Sequence, residues 1–258
     1  MRLVIDVGNS QIYGGLFAQG KHESVFHFRT STHGGMTTDE LGCFLRTVIR
    51  ENGFDPDTVS DIACCSVVPD LNHALVNSCR RYFHIAPLMI EPGVKTGLKI
   101  RYKDPAAVGA DRIANAVGAA KLYPDQNIII ADFGTATTLD VVTEKKEYLG
   151  GAILPGLSIS MQVLEARAAK LPTVAIAVPA VSCGRTTEES IQAGIFYGSV
   201  GAVKELAAQM SEELFDGIKP LVVATGGFAG MMRNRGVWDV IHPDLVLEGL
   251  IAVMEMNR

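Results

Sequence analysis

Two short segments of this chain have the residue types of a phosphate-binding turn. Asp6-Val7-Gly8-Asn9-Ser10 follows the apolar run Leu3-Val4-Ile5, and Asp132-Phe133-Gly134-Thr135-Ala136-Thr137-Thr138 follows a second apolar run ending at Ala131. In each, a strand carries a carboxylate to its end. Glycine then lets the chain turn without a Cβ clash, so that backbone N–H groups can approach phosphate oxygens. Asn9 and Ser10 add side-chain donors to the first turn, and three threonines add them to the second. Asp6 can hold Mg²⁺, directly or through water, because hard cations take oxygen ligands. Either segment alone reads equally as a hairpin whose Asp satisfies turn amides. Chance explains both copies poorly, and two such turns facing one another would clamp a polyphosphate. A third segment, Val222-Val223-Ala224-Thr225-Gly226-Gly227, runs a strand into a glycine pair that would let a flat adenine and ribose pass close to the backbone.

Gly109-Ala110-Asp111-Arg112 opens an apolar helix expected over Ile113 to Lys121. A guanidinium fork there suits a substrate carboxylate, and Asp111 can accept a hydroxyl proton. The alternative is Asp111 as a helix cap with Arg112 on a solvated face. Gly15 to Lys21 fits a P-loop up to its lysine, but His22 stands where Ser or Thr should hold Mg²⁺, and Ser24 to Arg29 reads as strand instead of helix. This stretch is read as a loop between strands. No GxGxxG occurs, so a Rossmann dinucleotide site has no support.

The elements that must carry these residues follow from periodicity. Strands are expected over Arg2 to Val7, Ile12 to Phe17 and Ser24 to Arg29, then a helix over Thr38 to Asn52 with Thr37 and Glu40 at capping-box spacing. A buried strand over Ile62 to Val67 and a helix over Leu71 to Phe83, capped by Asp70, come next. The pattern then restarts. Strands are expected over Asn127 to Asp132 and Thr137 to Val142, with a glycine-marked strand end over Gly150 to Pro155. Helices over Ser158 to Lys170 and Thr187 to Phe215 follow, the second opened by Thr186 and Glu189, then a strand over Leu221 to Ala224 and a helix over Leu245 to Met256. Gly194, Gly198 and Gly201 mark a close helix crossing, within or between subunits. LVIDVGNS at 3–10 and IIADFGTA at 129–136 share one order of residue types about half a chain apart. A repeat at half-length implies two similar lobes rather than a solenoid. With no Pro- or Ser-rich linker between them, the lobes, 1–120 and 121–258, are expected to pack together around a cleft.

The net charge of −5 argues against general nucleic-acid or anionic-membrane binding, which rewards basic patches. Five cysteines without CxxC spacing read as reduced thiols, and no apolar run approaches a membrane span. A soluble cytoplasmic protein is expected.

Further segments complete a pattern: FRTST at 28–32, DELG at 39–42, SVVP at 66–69, YKDPAAVGADRIANAVGA at 102–119, YLGGAILPG at 148–156, AAKLP at 168–172, GRTTEESIQAGIFYG at 184–198 and PDLVLEGL at 243–250. With DVGNS, DFGTATT and ATGG, in that order, they resemble the type III pantothenate kinases along nearly the whole chain. The resemblance implies an α/β fold of two ribonuclease-H-like, actin-like ATPase lobes, a homodimer, and transfer of the ATP γ-phosphate to pantothenate. By matching motifs it implies that Asp6, Val7, Gly8, Asn9, Ser10, Gln11, Ile12 and Tyr13 form the first nucleotide loop, with Thr135 a further ATP contact. Asp111 would be the catalytic base, with Tyr102, Gly109, Ala110 and Arg112 around pantothenate. Asp132 would bind a monovalent cation, K⁺ or NH₄⁺, and Thr187 would reach pantothenate from the dimer partner. Ser10 stands where many relatives have Thr, which keeps the hydroxyl, and no role is carried onto Ser31 to Thr37. Two other classes are a kinase of the same fold acting on a sugar or acetate, against which GADR beside Tyr102 argues, and a non-catalytic nucleotide-dependent regulator, against which the three acids Asp6, Asp111 and Asp132 argue.

Overall fold

A computed structural model describes residues 1–21, 23–167, 172–236 and 238–258. The first strands are β1 (Arg2–Val7), β2 (Gln11–Phe17) and β3 (Ser24–Ser31), followed by α1 (Thr38–Glu51), β4 (Asp61–Ser66), α2 (Pro69–Phe83), β5 (Leu88–Met89), β6 (Lys99–Ile100) and α3 (Ala110–Leu122). Then come β7 (Ile128–Phe133), β8 (Ala136–Val142), β9 (Glu147–Pro155), α4 (Leu157–Arg167), α5 (Thr187–Phe215), β10 (Leu221–Thr225), β11 (Val240–Ile241) and α6 (Leu245–Met256). The chain forms two compact units, Met1–Leu122 with Leu245–Arg258, and Tyr123–Asp244.

In the first unit β1, β2 and β3 form an antiparallel meander, while β4 joins β1 in parallel and β5 joins β4, giving the order β3-β2-β1-β4-β5. The second unit repeats this, with β7, β8 and β9 as the meander and β10 and β11 added in parallel, in the order β9-β8-β7-β10-β11. Asp6 is the fifth of six residues in β1, and Asp132 the fifth of six in β7. The half-length repeat is thus a repeat of topology, and the fold is the α/β architecture expected.

Alternation along β1 explains why the first sheet is covered on both faces. Leu3, Ile5 and Val7 face the core shared with Leu41, Leu45 and Ile49 of α1, whereas Val4 faces Leu247, Leu250 and Ile251 of α6. In the second unit Ile129, Ala131 and Phe133 pack against Phe196 and Val203 of α5. The Thr37 capping box forms as expected: Glu40 N–H donates to Thr37 Oγ1 at 3.2 Å, and Thr37 N–H to Glu40 Oε2 at 2.7 Å.

The division into units differs from the expected 1–120 and 121–258 at the C-terminus, because α6 belongs with the first unit. Glu255 on α6 accepts from buried Arg2 at 2.8 Å and from Lys121 at 2.6 Å. Glycine permits the close crossing of α3 and α6: a Cβ on Gly249 would stand 1.8 Å from the Ala114 carbonyl oxygen, and one on Gly118 2.5 Å from that of Leu245. The expected Asp70 cap is absent. Pro69 takes the first helical position, where its missing N–H costs nothing, and no side chain caps α2. Gly15 to Phe17 lie inside β2 instead of a loop, with Gly14 making room for the Phe28 ring, and His22 is outside the described residues. The end of the helix expected over Ser158 to Lys170 also falls outside them. Among the described residues no helix is long and apolar enough to cross a membrane, and all five cysteines are free.

Candidate active site

The first glycine turn closes the β1–β2 hairpin. Gly8 N–H donates to the Gln11 carbonyl at 3.0 Å, leaving Asn9, Ser10 and Gln11 exposed. A Cβ on Gly8 would meet that carbonyl oxygen at 3.2 Å, so a side chain would press on the hairpin. Val7, Ile12 and Tyr13 are buried, so within the expected Asp6–Tyr13 loop those three can offer a ligand little beyond backbone. The Arg29 guanidinium lies 3.9 Å above the Tyr13 ring, a cation–π contact that fixes it.

Asp6 has a neighbour that the sequence reading missed. In the parallel register Asp6 lies opposite Cys65 of β4, and the buried thiol donates to Asp6 Oδ1 at 3.1 Å. Burial, then the Asp6 charge and this hydrogen bond, then the charge of Asp111, hold the Cys65 thiol well above its usual titration range. Cys65 therefore lies within electrostatic reach of both carboxylates, at one end of the first sheet. Pairing register, which no local motif reports, brings it there.

Asp111 sits in the first turn of α3. Its Oδ1 accepts the Arg112 N–H at 2.7 Å, and a Cβ on Gly109 would lie 2.6 Å from that oxygen. Glycine at 109 is thus what leaves room for the carboxylate. Arg112 is buried, which rules out the solvated-face reading. Ala110 packs against the α6 cluster, and Tyr102 is exposed in the loop before α3.

In the second unit Gly134 N–H donates to the Ala136 carbonyl at 3.0 Å, so the Asp132 turn repeats the first hairpin one residue shorter. Two further glycines close on it. A Cβ on Gly226, whose φ is +91°, would stand 2.2 Å from Asp132 Oδ1, and one on Gly156 2.3 Å from the Thr135 carbonyl oxygen. Phe228 N–H then donates to the Phe133 carbonyl at 3.1 Å, tying the ATGG segment to the end of β7. The glycine pair after β10 therefore brings backbone against the acid turn.

Thr187 opens α5 and lines a groove of about 630 Å³ with Ile159, Val163 and Leu164 of α4 and Ile191 and Ile195 of α5. Thr186 accepts the Glu189 N–H at 3.1 Å, while Glu189 reaches back to the Arg185 N–H at 2.7 Å instead of closing the box on Thr186. Nothing among the described residues lies within 4 Å of a Cβ placed on Gly194, Gly198 or Gly201. Among the described residues, the close crossing expected at these glycines is not made.

A family model described as type III pantothenate kinase matches residues 2–209. The chain belongs to the type III pantothenate kinase family. A type III pantothenate kinase of Legionella pneumophila (strain Corby) is 51% identical over 257 residues, covering 100% of this chain and 99% of that protein. One from Elusimicrobium minutum is 46% identical over 258 residues, covering 100% and 99%. Among solved structures, a candidate Baf family transcriptional activator from Campylobacter jejuni superposes with a TM-score of 0.61 at 19% identity, over 99% of this chain and 98% of that one. A ROK family glucokinase from Streptomyces griseus, in complex with glucose and AMPPNP, gives 0.52 at 13% identity over 100% and 99%. These distant likenesses establish the fold, and the type III pantothenate kinase relatives establish the family.

Proposed function

We propose that this chain transfers the γ-phosphate of ATP to pantothenate, giving 4′-phosphopantothenate in the opening step of coenzyme A synthesis in the cytoplasm. The observation that supports this most is the 51% identity to a type III pantothenate kinase with essentially no part of either chain left over. It spans both turns, the GADR segment and the start of α5.

Phosphoryl transfer leaves the protein mainly positioning and charge neutralisation to do. Backbone N–H groups of the Asp6–Tyr13 loop and of the turn at Thr135 bind the polyphosphate and stabilise charge on the transferring group. Asp111 accepts the proton of the pantothenate primary hydroxyl, and that proton can leave late. Arg112 pairs with the substrate carboxylate, and Tyr102, Gly109 and Ala110 line the rest of the substrate site. Among the described residues no group of three or more His, Cys, Asp or Glu is placed to hold a metal ion. Mg²⁺ binds through one or two carboxylates and the substrate phosphates instead of an all-protein cage. Asp6 would hold it, directly or through water, and the ion when bound neutralises phosphate charge.

Asp132 is assigned to a monovalent cation. Turnover is expected to rise strongly when K⁺ or NH₄⁺ replaces Na⁺ at constant ionic strength, and equal rates in sodium and potassium would remove this site.

We further propose a homodimer, with Thr187 reaching pantothenate in the partner's site. The open glycine face of α5 and the apolar groove beside it support this reading. Light scattering is expected to give twice the chain mass. Mixing the inactive variants Asp111→Asn and Thr187→Arg should restore part of the activity, because a mixed dimer carries both lesions in one site. A monomeric mass with no recovery at any ratio would exclude the shared site.

A coupled ADP-release assay with pantothenate against a panel of sugars and acetate tests the substrate assignment. Pantothenate alone should support release, and a sugar outperforming it would move the chain to another kinase specificity.

A further inference from the structure

The residue after the third strand of each unit reaches the glycine turn between the first two. In the first unit Gln11 pairs with Ser31, and Thr32 follows. Its hydroxyl donates to the Gly8 carbonyl at 2.7 Å, and its N–H donates to the Ser10 carbonyl at 3.0 Å. In the second unit Ala136 pairs with Pro155, and Gly156 follows. Its missing side chain lets it close on the matching turn, where a Cβ would stand 2.5 Å from the Gly134 carbonyl oxygen and 2.3 Å from that of Thr135. Gly8 and Gly134 occupy the same place in the two hairpins. Two topologically equivalent positions, different in residue type, thus meet equivalent carbonyls.

A trans peptide plane points its C=O and its N–H in opposite directions. Holding the Gly8 carbonyl toward Thr32 therefore turns the Asn9 N–H away from it, and holding the Ser10 carbonyl does the same to the Gln11 N–H. Asn9, Ser10 and Gln11 are exposed, and Gly8 N–H is already spent inside the hairpin. The Asn9 N–H is the donor this arrangement presents outward, whereas the Gln11 N–H lies on the same edge of β2 as the Gln11 carbonyl that Gly8 N–H meets.

We propose that Thr32 is a positioning residue for ATP, bracing the first turn so that the Asn9 N–H it turns outward is aligned for a phosphate oxygen before nucleotide arrives. The proposal rests on the nucleotide-binding reading of that turn. It does not depend on which alcohol is phosphorylated. At the counterpart position, Gly156 approaches the matching turn closely without a hydroxyl.

Thr32→Val keeps the shape and β-branching of the side chain and retains the N–H bond to Ser10, while removing the hydroxyl from the Gly8 carbonyl. Calorimetric titration with Mg²⁺·AMPPNP is expected to show affinity weakened roughly 5- to 30-fold, the range for a lost bond that leaves a half-buried acceptor unmet. KM for ATP should rise in parallel, with KM for pantothenate and the thermal midpoint near wild type. Thr32→Ser should restore binding to within about twofold, since it keeps the hydroxyl. Wild-type affinity in the Val variant would overturn the proposal. So would a fall in thermal midpoint with both substrates weakened together, which marks a purely structural role. Wild-type protein that bound no nucleotide would overturn the reading of the turn and this proposal with it. Wild-type protein that bound nucleotide without phosphorylating pantothenate would sink only the substrate assignment, while the Val and Ser titrations still decided the role of Thr32.

Discussion

Asp111→Asn is expected to lower kcat by roughly 10²–10⁴ while leaving ATP and pantothenate affinities close to wild type, the range for a lost general base. The substitution is nearly isosteric. Asn Oδ1 can still accept the Arg112 N–H that Asp111 Oδ1 accepts at 2.7 Å, so the first turn of α3 keeps its local bond. What disappears is the acceptor for the substrate's hydroxyl proton. The space beside Gly109 that accommodates the carboxylate accommodates the amide equally well. Single-turnover kinetics with titrations of both substrates separates the outcomes. Near-normal turnover would reduce Asp111 to a residue of the helix start. Loss of both affinities with a lowered thermal midpoint would make its role structural.

Gly226→Ala is expected to damage the second turn, with Gly227→Ala as its control. At 226 the backbone has φ +91°, and the added methyl would meet Asp132 Oδ1 at 2.2 Å and the backbone N and C of Phe133 at 2.7 Å. A non-glycine residue held in such a conformation costs of order 1–3 kcal/mol before any clash is counted. For a chain of this size that corresponds to a thermal midpoint lower by roughly 2–12 °C. Because the nearest atom is the Asp132 carboxylate, activation by K⁺ should fall along with stability. A Cβ at Gly227 meets nothing within 4 Å among the described residues, so Gly227→Ala should behave like wild type. If the two variants were indistinguishable by calorimetry and by potassium titration, the contact of Gly226 with Asp132 would not hold in solution.

Much of the scaffold was legible from local pattern. Apolar runs ending in Asp-x-Gly predicted β1 and β7 within a residue of their observed bounds, and Thr37 with Glu40 predicted the start of α1, because strand alternation and capping are short-range effects. The two-residue strands β5, β6 and β11 are too short to carry a period and went unpredicted. That α6 is a helix was legible; which unit it joins was not. Glu255 meeting Arg2 and Gly249 meeting Ala114 are contacts between residues far apart in the chain. The supports of the two turns were hidden for the same reason. Cys65 reaches Asp6 through parallel pairing, and Thr32 and Gly156 reach their turns from the ends of third strands. A signal did exist for the last two: each is the first residue past the strand that pairs with the hairpin's outgoing arm, and aligning the two halves strand by strand would have found it. The groups expected to touch ligand are therefore in local motifs, and the groups that hold them are in the register.

Product analysis tests the central claim most directly. Protein, Mg²⁺, K⁺, pantothenate and ATP labelled in the γ-phosphate are incubated together, and the products are resolved by mass spectrometry and ³¹P NMR. One labelled phosphate on the primary hydroxyl of pantothenate, formed in step with ADP and abolished in Asp111→Asn, is the predicted result. ADP formed at the same rate without pantothenate, or label found on another acceptor while pantothenate stays unmodified, would contradict it.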